Sequence, residues 1–186
     1  REGADMMERK KVDMLCVLGT KWKESTTLEV FKLCYHVKRE QSVVKVKRVS
    51  DRVVNVKLEV EGVMINVISA YAPVLIQVGC VMEEKDKFWS ELDEVVEGEP
   101  RNERLVIGAD LNGHVGEQRR GDEERNVEGL MVVDFAKRME MAVVNTYFKK
   151  KKDHRVTYKS GGRCTQVNGV QCRRCNLKEI GDCKVL

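Results

Sequence analysis

The chain has 186 residues, of which 42% are hydrophobic and 34% charged, and its formal net charge is +4. This length and composition are typical of a single folded domain with a buried core, and they exclude a disordered or fibrous chain. No run of about eighteen apolar residues occurs, so no membrane partner is expected. The basic excess is small, and it permits a nucleic-acid partner without requiring one.

Alternating residues in the first half of the chain predict a β-hairpin. Between residues 54 and 60, apolar side chains alternate with polar ones, which is the period of a strand with one buried face. Glu61 and Gly62 then predict a tight turn, and a second, more apolar strand follows over Val63–Tyr71. Pro73 marks the end of that strand, because proline lacks the N–H that a sheet needs.

Two amphipathic helices are predicted farther along the chain. The first covers Met82–Glu97 and ends at Gly98 and Pro100, and the second covers 130–141. Strands are predicted at 105–109 and 142–148, with a loop at 113–127. Shorter segments are predicted as a helix at 4–11 and as strands at 12–18, 31–36, 43–49 and 155–158. Since strands and helices intermix without a regular repeat, we expect an α/β fold with a mixed sheet covered by helices.

The strand at 105–109 ends in polar residues that suit a binding site. If the backbone stays extended as far as Asn112, the side chains of Asp110 and Asn112 point the same way. A carboxylate there can take a proton or a cation, and an amide can donate hydrogen bonds. Ligand sites in α/β proteins favour the carboxyl ends of strands. The alternative is that Asp-Leu-Asn-Gly is turn chemistry alone.

The seven cysteines leave two interpretations open. With no secretory signal in the sequence, reduced thiols in an intracellular protein, nuclear or cytoplasmic and not secreted, are expected. Cys172 and Cys175 have the spacing of metal ligands, and Cys164 and Cys183 could complete a zinc site. No second pair of this kind supports that site, which favours free thiols over a zinc-stabilised binding module.

Three segments, in this order, carry a recognisable pattern: Ile68-Ser69-Ala70-Tyr71-Ala72-Pro73, Ile107-Gly108-Ala109-Asp110-Leu111-Asn112-Gly113-His114 and Val144-Asn145-Thr146-Tyr147-Phe148. Together they resemble the endonuclease/exonuclease/phosphatase superfamily, whose members include exonuclease III, apurinic endonucleases and the nuclease domains of non-LTR retrotransposons. Residues 94–97, 133–138 and 156–163 further resemble the craniofacial development protein 2-like group, whose nuclease segment is similar to that of RTE-type retroelements.

The resemblance implies a fold and a set of site residues. The fold is a four-layer α/β sandwich of two packed mixed sheets flanked by helices, formed by one domain over 1–186 that is truncated at both ends and incomplete. Tyr71 would contact the scissile phosphate, Asp110 would position or deprotonate the attacking water, and Asn112 would orient phosphate and catalytic groups. These three are expected to converge on one phosphate-sized spot. Mg²⁺ held by carboxylates would neutralise the phosphate oxygens.

Three further residues are candidates for binding substrate. Thr157, near the start of a later motif, would belong to the groups supporting the site. Lys149 and Arg155 flank a basic run, 149–152, that could grip a phosphate backbone. A solvated charged loop is the alternative for this run, since acidic residues are nearly as numerous as basic ones.

This sequence departs from the family pattern at important positions. The first strand of family members ends in Gln-Glu-Thr, whose Glu is the principal metal ligand, and here the residues are Leu18-Gly19-Thr20. An aspartate of a later motif is replaced by Asn168, and the closing Asp/His motif falls beyond Leu186. The metal site is therefore incomplete, with Asp110 as the remaining candidate ligand and Mg²⁺ bound weakly or not at all.

Two functional hypotheses follow from these observations. The first is a Mg²⁺-dependent phosphodiesterase or endonuclease domain of retroelement origin, acting on DNA with an impaired active site. The second is a catalytically inactive relative that binds nucleic acid or a protein.

Overall fold

A six-stranded mixed sheet organises the molecule. The structure is a computed structural model that describes residues 9, 14–16, 35–37, 41–73, 82–111, 127–148, 158–160, 163–165 and 168–183. In chain order the elements are β1 (Met14–Cys16), β2 (Tyr35–Val37), β3 (Gln41–Arg48), β4 (Val53–Val60), β5 (Val63–Tyr71), α1 (Met82–Glu97), β6 (Arg104–Asp110), α2 (Val127–Arg138), β7 (Met141–Val143), a 3₁₀ turn (Val144–Thr146), β8 (Tyr158–Ser160), β9 (Arg163–Thr165), β10 (Asn168–Arg173) and a second 3₁₀ turn (Arg174–Glu179).

The strands of the large sheet lie in the order β3-β4-β5-β6-β10-β7. Only β5 and β6 run parallel, and the other neighbours are antiparallel. Helix α1 connects the two parallel strands, as such a crossover requires. The prediction of an α/β fold with a mixed sheet is therefore confirmed. Strands β1 and β2, and strands β8 and β9, form two separate antiparallel pairs.

The predicted hairpin is present as β4 and β5, which pair along their full length from Val53 and Ala70 to Val60 and Val63. Glu61 and Gly62 form the turn with φ values of 50° and 79°. Two consecutive left-handed residues are the mark of a type I′ turn, whose twist matches that of the flanking strands. Glycine at the second position adopts this conformation without steric cost.

One face of the sheet is covered by the two helices, whose apolar stripes pack on Val53 of β4 and on alternate residues of β5 and β6. The predicted stripe residues are in this core, with Trp89 packed edge-on to Phe88 at 5.3 Å and tilted against Phe135 at 5.4 Å between ring centroids. The fully buried members include Phe88, Leu92, Leu105, Ile107 and Phe135. Neither helix in the described part of the chain is long and apolar enough to cross a membrane.

The opposite face of the sheet is buried as well. Val56, Leu58 and Val67 are fully inaccessible to solvent there, and Met14 of β1 packs against them. The described residues contribute only the short pairs β1–β2 and β8–β9 beyond the large sheet, and not the second packed sheet that the resemblance implies.

The predicted boundary between the second helix and its strand is wrong. The helix ends at Arg138 instead of residue 141, because Glu140 adopts a left-handed φ of 54° that stops it. Strand β7 is only three residues long, and a 3₁₀ turn replaces the rest of the predicted strand. The Thr146 hydroxyl donates to the carbonyl of Val143 at 2.7 Å, a local side-chain bond that competes with strand pairing.

Strand β10 is absent from the predicted elements, although it lies between β6 and β7 in the sheet. Its sequence, Asn-Gly-Val-Gln-Cys-Arg, has only two alternating apolar residues, Val170 and Cys172, and these are too few to predict a strand. Three predicted segments lie mostly or wholly outside the described residues: the helix at 4–11, the loop at 113–127 and the basic run at 149–152. Of the strand predicted at 155–158, only Tyr158 is described, as the first residue of β8.

Candidate active site

Tyr71 and Asp110 are the last residues of the two parallel strands, and they are direct partners in the register of β5 and β6. Both strands therefore end at the same edge of the sheet, which is where α/β proteins bind ligands. The pairing continues one residue further, because the amide of Ala72 donates to the carbonyl of Asp110 at 2.8 Å. These two residues come from strands that are separated along the chain by helix α1.

The side chains of Tyr71 and Asp110 share a face as well as an edge. Their neighbours Ala70, Ala109 and Leu111 point into the core beneath the helices. Because side chains alternate along a strand, Tyr71 and Asp110 point to the other face, and both remain partly exposed. A phenol and a carboxylate are thereby placed side by side at the rim of the sheet, where one can donate a hydrogen bond to an anion and the other can accept a proton.

A third strand end lies beside this pair. Asn168, the first residue of β10, is the antiparallel register partner of Asp110. Sequence reasoning identified Asn168 only as a departure from a family motif. The strand that carries it has too few apolar residues to be predicted from the sequence, so its place next to Asp110 could not be predicted.

Two other residues near this edge were also missed. Arg52 accepts a hydrogen bond from the amide of Tyr71 through its carbonyl at 3.0 Å, and its half-exposed guanidinium lies 4.0 Å from Glu84 of α1. Asn145 accepts a hydrogen bond from the amide of Val170 at 2.6 Å, which ties the turn after β7 to β10. The family motif at 144–148 marked Asn145 without assigning it a role.

The other predicted site residues fall outside the described part of the chain. Asn112, Lys149, Arg155 and Thr157 are in this group, as is Gly19 at the position of the family's metal-binding glutamate. Their predicted roles stay predictions.

The donor set was tested for a magnesium ion. Among the described residues, no group of three His, Cys, Asp or Glu side chains could hold a metal. Mg²⁺ often binds through one or two carboxylates together with substrate phosphates and water. Asp110 fits a Mg²⁺ that is shared with a bound phosphate, and it does not by itself make a site for the free ion.

A second polar cluster lies at the opposite end of β5 and β6. The Lys57 ammonium is 3.2 Å from Glu99 and 2.7 Å from Glu103, and Asn66 donates to Glu103 at 2.7 Å. The hydrogen bond from Lys57, followed by that from Asn66, lowers the pKa of Glu103, and the bond to Glu103 raises the pKa of Lys57. Six residues of strand separate this end from Asp110, or roughly 20 Å. The cluster is saturated by its own ion pairs and is a structural feature.

Two arginines at the end of β10, Arg173 and Arg174, have different environments. Arg173 is buried, and its guanidinium donates to the carbonyl of Glu99 at 2.8 Å, where it holds β10 against the end of α1. Arg174 is exposed, with its Nε directed to the carbonyl of Met141 at 3.5 Å. Arg173 is therefore occupied by the fold and is not available to a ligand.

The cysteines at the end of the chain are free thiols in the structure. Cys172 is buried beside Ala142 and Val144, and this burial raises its pKa to about 11. Among the described residues, Cys172 and Cys175 belong to no group of three side chains that could hold a metal. Cys175 is exposed, and the side chain of Cys164 lies outside the described residues.

Several solved structures share this fold. An AP endonuclease from Archaeoglobus fulgidus matches 94% of this chain and 81% of its own, with a TM-score of 0.67 and 13% identity. The endonuclease domain of TRAS1, a telomere-specific non-LTR retrotransposon, matches 95% of this chain and 80% of its own, with a TM-score of 0.61 and 13% identity. An endonuclease/exonuclease/phosphatase family protein from Leptotrichia buccalis C-1013-b matches 92% and 79%, with a TM-score of 0.53 and 10% identity.

No protein-family model matches the sequence, and no curated protein matches it. The structural likenesses establish that the chain has the fold of the endonuclease/exonuclease/phosphatase superfamily and resembles DNA endonucleases in its architecture.

Proposed function

We propose that this chain is a DNA-binding domain of retroelement origin, built on the fold of a metal-dependent phosphodiesterase and impaired in hydrolysis. The observation that carries the proposal is the register pairing of Tyr71 with Asp110 at the shared edge of two parallel strands. The fold shared with an AP endonuclease and a retrotransposon endonuclease domain supports phosphodiesters as the ligand class. The glycine at position 19 supports the loss of efficient hydrolysis, because glycine has no group to bind a metal.

The chemistry available to this site follows from its two side chains. The Tyr71 phenol donates a hydrogen bond to a non-bridging phosphate oxygen, and the Asp110 carboxylate accepts a hydrogen bond from a water near the phosphorus. Mg²⁺, when bound with the phosphate, supplies positive charge that offsets the charge of the phosphate oxygens. Without a carboxylate at position 19, the chain binds a phosphodiester and hydrolyses it slowly at most.

The remaining predicted residues complete the proposed surface. Asn112 would orient the phosphate next to Asp110, with Thr157 among its supporting groups, while Lys149 and Arg155 would contact the DNA backbone farther along. Arg52 joins this set, since its carbonyl accepts a hydrogen bond from the Tyr71 amide and its half-exposed guanidinium makes a long contact of 4.0 Å with Glu84. The full two-sheet sandwich belongs to the proposal too, and the buried second face of β4 and β5 supports it.

The experiment combines DNA binding and plasmid nicking. Fluorescence anisotropy with a labelled duplex is expected to show binding that strengthens with Mg²⁺ and weakens with EDTA. The Asp110→Ala variant should lose at least about tenfold in affinity, the size of one lost hydrogen bond to a charged group. Asp134→Ala, which removes a carboxylate from the exposed face of α2, is the matched control and should bind unchanged.

Nicking of supercoiled plasmid tests the impairment. The unaltered chain should nick no faster than Asp110→Ala, whereas Gly19→Glu should nick measurably in Mg²⁺ and not in EDTA. Rapid nicking by the unaltered chain that Asp110→Ala abolishes would refute the impaired site. Absence of DNA binding in every condition would refute the assignment to DNA.

A further inference from the structure

Ser69 carries a buried hydroxyl that the fold itself does not use. Its side chain is 1% exposed, and its Oγ has no hydrogen-bond partner among the residues that the structure describes. A buried polar group without a partner costs stability, so such groups call for a functional or solvent explanation. The side-chain amide oxygens of Asn55, Asn66 and Gln171 also lack a partner among the described residues. The side-chain nitrogens of the two asparagines, however, donate to Glu99 and Glu103.

The sheet explains why Ser69 finds no partner. Its register neighbours are Val54 on β4 and Gly108 on β6, and neither has a polar side chain. Val67 precedes it on the same face and is apolar and fully buried. The hydroxyl is therefore surrounded laterally by groups that cannot accept or donate.

Among the described residues of β5 and β6, the next polar side chains on this face belong to the candidate site. Tyr71 lies two residues beyond Ser69 on the same strand, and Asp110 lies two residues beyond Gly108. Two residues of strand span roughly 6.6 Å. A single bridging water spans roughly 5.5 Å between two hydrogen-bonding atoms, so one water can link Ser69 to a ligand or side chain at the edge.

We infer that the Ser69 hydroxyl is the inner hydrogen-bonding group of the candidate site, and that it holds, through one water, the phosphodiester that Tyr71 and Asp110 receive. This inference rests on the proposed function. Ser69 acts as a positioning residue, because it reaches the ligand through water and not directly. Its hydroxyl lowers the stability of the free protein and stabilises the complex, a division of roles typical of functional groups.

The test measures DNA affinity and stability in the same variants. Ser69→Ala should bind a labelled duplex in Mg²⁺ about fivefold more weakly, which is the typical net effect of one hydrogen bond. Its urea midpoint should stay the same or rise, since an orphaned polar group is removed. Ser69→Thr keeps the hydroxyl and should restore the affinity. Gln171→Met is the matched control: it removes an orphaned oxygen on the helix-covered face and should leave binding unchanged.

Each outcome is decisive. Weaker binding by Ser69→Ala with an undiminished midpoint, rescued by Ser69→Thr, supports the inference. The inference is overturned if Ser69→Ala binds DNA as the unaltered chain does, or if its weaker binding is accompanied by a lower urea midpoint. In that case the proposed function still stands, provided that Asp110→Ala binds DNA more weakly than the unaltered chain. If the unaltered chain binds no DNA, the proposed function and this inference fall together.

Discussion

Lys57 shows how single residues in this chain depend on tertiary neighbours. Its side chain is 19% exposed, and those of Glu99 and Glu103 are 16% and 17% exposed, so water screens the three charges only partly. The two carboxylates come from the segment between α1 and β6, far from Lys57 in sequence. The ion pairs therefore join that segment to β4 and stabilise the end of the sheet that lies opposite the candidate site.

Replacement of Lys57 by methionine should destabilise the protein by about 2–3 kcal/mol at neutral pH, because two half-buried carboxylates lose their cation. The pKa of Glu103 is lower in the folded protein than in the unfolded chain, where it is 4.5. The ionised carboxylate therefore stabilises the folded protein above pH 4.5, and this stabilisation is lost as the pH falls through the lower, folded pKa. Urea unfolding should thus show that the free energy of unfolding of Lys57→Met lies below that of the unaltered chain, by an amount that decreases from pH 7 to pH 3.

The matched control is Lys87→Met. Lys87 is 76% exposed and lies 3.9 Å from Glu91, so its loss should change stability by less than about 0.5 kcal/mol. Equal effects of the two substitutions would show that the Lys57 cluster adds nothing beyond a surface ion pair.

Cys172 and Cys175 should differ in reactivity, although only two residues separate them. Burial raises the pKa of the Cys172 thiol to about 11, and Cys175 is exposed. Alkylation by iodoacetamide at pH 8, followed by mass spectrometry of the peptides, should modify Cys175 at least about tenfold faster, since the thiolate is the nucleophile. In denaturing urea the two rates should converge. Fast modification of Cys172 in the native protein would contradict its buried position.

At the scale of elements, the β4–β5 hairpin is the part of the fold where local and long-range preferences agree. Its apolar residues alternate with the period of a strand, and its turn residues have the left-handed φ values that a type I′ turn needs. Helix α1 shows the same agreement, because its observed bounds equal the predicted ones. Elements of this kind can be read from the sequence.

Gly62→Ala should destabilise the hairpin by about 1 kcal/mol. No atom lies within 4 Å of the added Cβ, so the cost comes from the positive φ of 79° alone. Gly181→Ala is the control, since its Cβ also meets nothing within 4 Å and its φ is not in the left-handed region. Thermal unfolding should show a lower midpoint for the first variant only. A neutral Gly62→Ala would mean that the turn adopts another conformation.

At the scale of the whole molecule, two layers of apolar contact hold the sheet. The larger core joins β4, β5 and β6 to both helices, and the smaller one covers the opposite face of β4 and β5. An ion pair between Arg138 of α2 and Asp93 of α1, at 2.7 Å, connects the two helices above the larger core. The candidate site lies at the rim of this assembly, so its geometry depends on both layers.

Phe135→Ala should cost about 3–5 kcal/mol, because this ring is fully buried between α2 and the sheet. Leu130→Ala on the same helix is the matched control, since Leu130 is 55% exposed and its truncation leaves no cavity. Urea unfolding of both variants gives the comparison. Similar midpoints for the two would show that α2 does not pack as described.

The amino-acid sequence by itself determined the hairpin, the two helix stripes and the polar ends of the strands at Tyr71 and Asp110, because each depends on periodicity or turn chemistry within a few residues. Only the tertiary structure decided that β5 and β6 lie parallel in one register, and that β10 inserts beside β6 with Asn168 opposite Asp110. These features arise from backbone pairing between distant segments. Strand β10 has only two apolar side chains, Val170 and Cys172, so its place depends on backbone hydrogen bonds to two neighbours together with the packing of these two residues.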